Sequence, residues 1–291
     1  VPAGLRIAKA VTRYVDGRSE TSLDPDLRVF VSDLVRPHGL PLREDLLDEG
    51  VGHSYGEMAE GPLREAVADG KPVDLLILAF DSPDVRPGAP ASIHLSRFCP
   101  GSPLAFAVCD EGTAAAFTAL QLAADFTSGG SGFDRVVVVL AEQTALHYRP
   151  AEPVDLPDRH CVVVLVCEKD PDCELTIRQT KPADEESASK QLAAEAGELG
   201  SGTLVLVGPG LPDVAGAQPP IAGQPFTGVW TQLAEHLSDR SPQPPKSQPP
   251  QPDPPQPDPT RSDPPRPGPV LVAALDRRLG LLSTLTLRAG P

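Results

Sequence analysis

Cys109 closes the apolar run Leu104-Ala105-Phe106-Ala107-Val108 and precedes Asp110-Glu111-Gly112 and an alanine-rich segment from Thr113 onward. That order predicts a strand handing a cysteine to the start of a helix, where the positive end of the helix dipole favours a thiolate. A thiolate in that place is a nucleophile able to carry an acyl group. The two carboxylates that follow act against it, because Asp110 and Glu111 repel a second negative charge and hold the thiol protonated. Two roles are open to Cys109: acyl-carrying nucleophile, or small apolar core residue.

The remaining chemistry-bearing residues are sparse. Cys99, Cys161, Cys167 and Cys173 complete an odd set of five without CxxC spacing, so reduced thiols are expected rather than a disulfide framework or a zinc site. His94 and His147 read as surface histidines, and His236 as facing solvent or a helix end. The chain contains no Asn. No GxGxxG, P-loop, HExxH or GxSxG pattern is present, and Gly129-Gly130-Ser131-Gly132 is a tight connection rather than a phosphate cradle, so no cofactor is expected.

Composition narrows the class further. With 291 residues, 40% of them hydrophobic, the chain can bury a sizeable α/β core. A formal charge of -15 without a basic stripe argues against nucleic acid as a partner. No apolar run approaches the roughly 18 residues of a membrane span, and Val1 to Lys9 lacks the pattern of a secretory leader, so no membrane partner and a cytoplasmic location are expected.

These side chains must be positioned by elements that hydropathy also predicts. Apolar runs at Leu5–Val11, Val73–Phe80, Leu104–Val108, Arg135–Ala141, Cys161–Cys167 and Thr203–Val207 read as strands, with Leu175–Gln179 a candidate for a further one. Asp24–Leu34 reads as a helix or turn segment, and helices are expected near Gly56–Asp69, Ala89–Phe98, Gly112–Phe126, Asp184–Leu199 and Phe226–Leu237. The alanines of Gly112–Phe126 suit a central helix packed on several sides. Ser241 to Pro269 is a proline tract with the internal repeat Gln251-Pro252-Asp253-Pro254-Pro255, Gln256-Pro257-Asp258-Pro259, read as a solvated connector inserted before a closing hairpin, Val270–Leu275 with Leu281–Leu287.

The strand Asp74-Leu75-Leu76-Ile77-Leu78-Ala79-Phe80, the helix opening Pro90-Ala91-Ser92, the strand Phe106-Ala107-Val108-Cys109 before a helix, and Phe133 to Glu142 together resemble the thiolase superfamily. The likeness is to condensing enzymes of the ketoacyl synthase III type, over roughly residues 5 to 167. It implies a thiolase-like layered α/β/α fold with a truncated second half-domain: 1–180 as the N-terminal half, 181–240 with 269–291 as a shortened C-terminal half, and 241–268 as an inserted proline-rich linker. It also implies that Cys109 matches the nucleophile and that Leu104, Ala105, Phe106, Ala107 and Val108 meet a partner subunit across a dimer.

Decarboxylative condensation needs side-chain donors, a His with an Asn or second His, to stabilise carbanion and oxyanion. Where the resemblance places the His, this chain reads Gly208-Pro209-Gly210; where it places the Asn, the nearest match is Gln224-Pro225-Phe226-Thr227-Gly228. Gly208 and Pro209 offer no side-chain donor, and Gln224 or Thr227 only a weak one. The leading expectation is a non-catalytic ketosynthase-like subunit, pairing with an active ketosynthase-like subunit or with itself in polyketide or fatty-acid-type biosynthesis. The alternative is an acyltransferase or condensing enzyme using Cys109 on acyl-CoA or an acyl carrier protein. A weaker third reading has the proline tract recruit a partner.

Overall fold

The computed structural model describes residues 4–88, 90–130, 132–211, 214–239 and 268–289. The proline tract, expected as a linker, lies outside the described residues. Among the described residues, ten strands form two five-stranded sheets. The first contains β1 (Leu5–Val15), β2 (Leu75–Ala79), β3 (Leu104–Val108), β4 (Arg135–Glu142) and β5 (His160–Lys169), in the order β1-β5-β4-β2-β3. The second contains β6 (Cys173–Thr180), β7 (Leu204–Val207), β8 (Ala217–Gln218), β9 (Val270–Asp276) and β10 (Leu281–Ala289), in the order β6-β10-β9-β7-β8.

The two sheets are one design used twice. In each, the first strand runs antiparallel to the fifth, the fifth antiparallel to the fourth, and the fourth and third both parallel to the second. Truncation, expected from the resemblance, has not removed a strand: the second sheet has as many as the first. Among the described residues, β8 has two residues and one helix, α7, lies outside the second sheet. Cys173–Thr180, within the segment 1–180 expected as the N-terminal half, pairs with β10 in the second sheet.

Helices complete the layers. α1 (Glu20–Leu23), α2 (Pro25–Val35) and α3 (Glu44–Glu49) form a cap after β1. α4 (Tyr55–Ala66) and α5 (Ala91–Ser96) cover the outer face of the first sheet, where Tyr55, Met58, Leu63 and Leu95 pack on Leu76, Leu78, Val137 and Val164. Between the sheets lie α6 (Ala114–Ser128) and α8 (Gly228–Asp239), meeting through Phe117 and Trp230 edge to face at 4.9 Å. α7 (Glu185–Leu199) covers the outer face of the second sheet through Leu192 on Val205, Val207 and Leu271.

The sequence dictates these places. β4 and β5 are runs of Val and Leu buried on both faces, which suits strands with helices on each side. α6 carries Ala115, Ala116, Ala119 and Ala123 without exposed surface, and these small side chains let parts of the helix approach the sheets closely, beside the larger Phe117 and Leu120. β3 is the edge of its sheet, with Leu104 49% exposed. Among the described residues, no helix is long and apolar enough to cross a membrane.

Candidate functional site

The parallel strands β2, β3 and β4 end together, bringing Asp81, Cys109 and Glu142 to one end of the first sheet. Ligands of open α/β sheets bind outside such carboxyl ends. A cavity of about 330 Å³ opens there between Phe80, Asp81, Pro83, Pro90, Ala107 and Cys109. Cys109 is a free, half-buried thiol.

Its distance from the helix differs from the sequence reading. Asp110 has φ of 66° and Gly112 φ of 54°, so a tight turn separates Cys109 from α6, which begins at Ala114. Asp110 is the one non-glycine residue with positive φ among the described residues, a strained placement of the kind found beside functional groups. The Cys109 thiol donates to Asp110 Oδ2 at 3.5 Å. Burial raises its pKa, and Asp110 and then Glu111 raise it further. Burial also raises Asp81, which Arg278 at 3.9 Å counters and Asp276, Asp110 and Asp155 reinforce.

At the N-terminus of α6, Ala114 N–H and Ala115 N–H close onto Glu111 O and Gly112 O, and the N-cap residue Thr113 faces another group. Thr113 N–H donates to Asp276 Oδ2 at 3.0 Å, and Leu279 N–H donates to Asp276 Oδ1 at 2.8 Å. A Cβ at position 112 would overlap Asp276 Oδ2, so Gly112 is needed for the carboxylate to sit there, besides supplying the positive φ.

The same arrangement recurs at α8. Glu142, the last residue of β4, accepts from Gln224 Nε2 at 2.5 Å, Phe226 N–H at 2.8 Å, Thr227 N–H at 3.1 Å and the Thr227 hydroxyl. Burial raises the Glu142 carboxyl and these donors oppose the rise. β4 and β9 are the fourth strands of their sheets, so each half ends its fourth strand in a carboxylate that caps the other half's central helix.

Of the expected degenerate positions, Gln224 and Thr227 spend their donors on Glu142. Gly208 and Pro209 pack against β9, with Gly208 N–H on Ala273 O at 2.7 Å and Pro209 O accepting from Leu275 N–H at 3.5 Å. Leu104 to Val108 form the free edge beside the cavity.

His147 corrects the surface reading: it is 3% exposed, its Nε2 lying 2.8 Å from Val51 O. It is one of three buried histidines around the cap. His53 and His160 stack edge to face at 4.7 Å, and Thr144 N–H donates to His160 Nδ1 at 3.2 Å. The sequence reading missed this group, along with Asp276 and Glu142. The closing hairpin placed Asp276 at a turn, but nothing local told that it crosses to α6. Among the described residues, no three His, Cys, Asp or Glu side chains are placed to hold a metal ion.

Neither a protein-family model nor a curated protein sequence matches the chain. Solved structures do. A structure described as AbyA1, a tetronic acid condensing enzyme, superposes with a TM-score of 0.59 at 13% identity, covering 98% of this chain and 100% of that one. The fold is related to that of the thiolase-superfamily condensing enzymes. ChlB3, described as an acyltransferase, superposes with a TM-score of 0.60 at 14% identity over 98% of both chains. A 3-oxoacyl-(acyl-carrier protein) synthase from Burkholderia xenovorans LB400 gives 0.59 at 13%, over 100% of this chain and 96% of that one. Identities this low speak for the fold alone.

Proposed function

We propose that the chain is an acyltransferase of condensing-enzyme-like fold that carries an acyl group on Cys109, taken from acyl-CoA or an acyl carrier protein. The observation that carries this reading is the free Cys109 thiol at the carboxyl end of β3, opening onto a cavity with Phe80, Pro83, Pro90 and Ala107 in its wall. Acyl transfer asks for a thiolate, a base and donors for an oxyanion, a smaller set than decarboxylative condensation asks for. The similar structures described as an acyltransferase and as a condensing enzyme share the fold on which this reading builds.

A second reading, a non-catalytic subunit paired with an active ketosynthase-like chain or with itself, draws on a different observation. Gln224 and Thr227 are committed to Glu142, and Gly208 and Pro209 have no side-chain donor to offer. On that reading, Leu104 to Val108 is the strand that meets the partner.

Incubation with acyl-CoA and with acyl-loaded carrier protein, followed by intact mass spectrometry, separates the two. Acyl transfer predicts an adduct on the parent chain that Cys109→Ser abolishes. No Cys109-dependent adduct from either donor overturns the acyltransferase reading in favour of the subunit.

A further inference from the structure

In a strand, successive side chains point to opposite faces. Cys109 and Asp110 follow one another directly off the end of β3, yet both line the same cavity. The left-handed backbone at Asp110, φ 66°, breaks the alternation; few residues besides Gly, Asn and Asp adopt it. The contact that results is between neighbours in the chain: the Cys109 thiol donates to Asp110 Oδ2 at 3.5 Å.

A thiol that attacks a thioester must give up its proton, and a group at the cavity must take it. None of the chain's six histidines lines the cavity. Its other titratable walls are Asp81, Asp84, Arg86 and Asp110, and a guanidinium cannot accept a proton. Asp84 Oδ1 holds the backbone N–H groups of Tyr55 and Arg86 at 3.2 and 3.1 Å, and Asp81 faces Arg278 at 3.9 Å. Glu111, outside the cavity wall, accepts from the Thr118 hydroxyl at 2.5 Å. Among the described residues, the carboxylate that meets the sulfur is that of Asp110.

We propose that Asp110 is the general base of acyl transfer to Cys109, an assignment that rests on the acyltransferase reading: its carboxylate takes the thiol proton as the sulfur attacks the thioester carbonyl. The bond from Cys109 Sγ to the acyl carbon forms, and the donor's carbon–sulfur bond breaks. Asp110 then hands the proton to the departing thiol of coenzyme A or of the carrier protein, so one proton passes from thiol to thiol and nothing is oxidised or reduced. The carboxylate also sets the resting state. Burial, then the charge of Asp110 and its hydrogen bond, then Glu111, hold the thiol protonated, so loss of the proton is tied to attack rather than preceding it.

Asp110→Asn keeps the shape and suits a left-handed backbone, but its amide cannot take the proton. Two reactions of the same sulfur should then move in opposite directions. Alkylation of Cys109 by iodoacetamide at neutral pH needs only the thiolate fraction, and should quicken severalfold once the neighbouring charge is gone. Formation of the acyl adduct from acyl-CoA or acyl-loaded carrier protein, timed by intact mass spectrometry, should slow by about 100-fold or more. Asp110→Gly also accepts the backbone and should show the same split, and it takes the place of D110N if that variant fails to fold. Alkylation and acylation rising together would make Asp110 only a brake on the thiolate, and both falling together would make it only a loop residue; either overturns the proposal. A parent without an adduct removes the acyltransferase reading and this base with it, whereas a parent that acylates no faster than D110N removes the base alone.

Discussion

A buried carboxylate is costly unless its oxygens accept hydrogen bonds, and Glu142 accepts from one side-chain amide, one hydroxyl and two backbone N–H groups. That network explains why Gln224 and Thr227 are unavailable to a substrate: their donors are the means by which α8 is fixed to β4. Thr227→Val keeps the shape and removes one donor from a fully buried position, so it should cost about 1–3 kcal/mol in urea unfolding. It should leave the Cys109 acyl adduct intact, as intact mass spectrometry can check; a loss of adduct with unchanged stability would instead make Thr227 part of the chemistry. In the sequence, Cys109 and the repulsion from Asp110 and Glu111 were legible because they are neighbours in the chain. Asp276 on Thr113 and Glu142 on Thr227 were not, since each contact spans the two halves, and no local pattern reports a contact between residues so far apart.

Among the elements, β3 stands apart. Among the described residues it pairs with β2 on one side only, and a row of edge backbone groups with Leu104 exposed is a template for another strand. If β3 meets a partner, Leu104→Lys should shift the protein toward monomer in analytical ultracentrifugation while leaving its unfolding midpoint unchanged, because Leu104 is half out of the core. A dimer that survives the charge places the contact elsewhere. The strands and long helices were legible because burial on two faces demands unbroken apolar runs, as in Val136–Leu140 and Val162–Val166. α1, α3 and β8 were not, for they are too short to show a period and owe their shape to the cap and to β7. The equivalence of the two halves was also hidden, since it lives in strand order, while β10 carries Ser283, Thr284 and Thr286 where β5 carries valines.

Across the whole molecule, buried titratable groups pull its acid response in opposite directions. Burial lowers the pKa of His160 to about 4, with His53 adding to the fall and Asp16 and Glu57 opposing it, and burial lowers His147 as well. The unfolded chain therefore takes protons on these histidines first, and stability is lost as pH falls from about 6.5 toward 4. Asp84 has the other sign: burial raises it to about 6 against backbone donors from Arg86, Tyr55 and Val85, so the folded state binds its proton first and gains stability as pH falls through 6. Glu142, also raised by burial, acts in the same sense. The opposing groups share a window between pH 4 and 6.5, so the parent's stability should vary little across it. Single substitutions unmask the two sides. His160→Asn should make the protein relatively more stable at pH 5 than at pH 7, and Asp84→Asn relatively less, as urea midpoints at the two pH values would read. Shifts of the same sign in both variants would show that one set of groups alone governs the acid limb, and that the buried histidines around the cap do not act as a counterweight to the carboxyls at the strand ends.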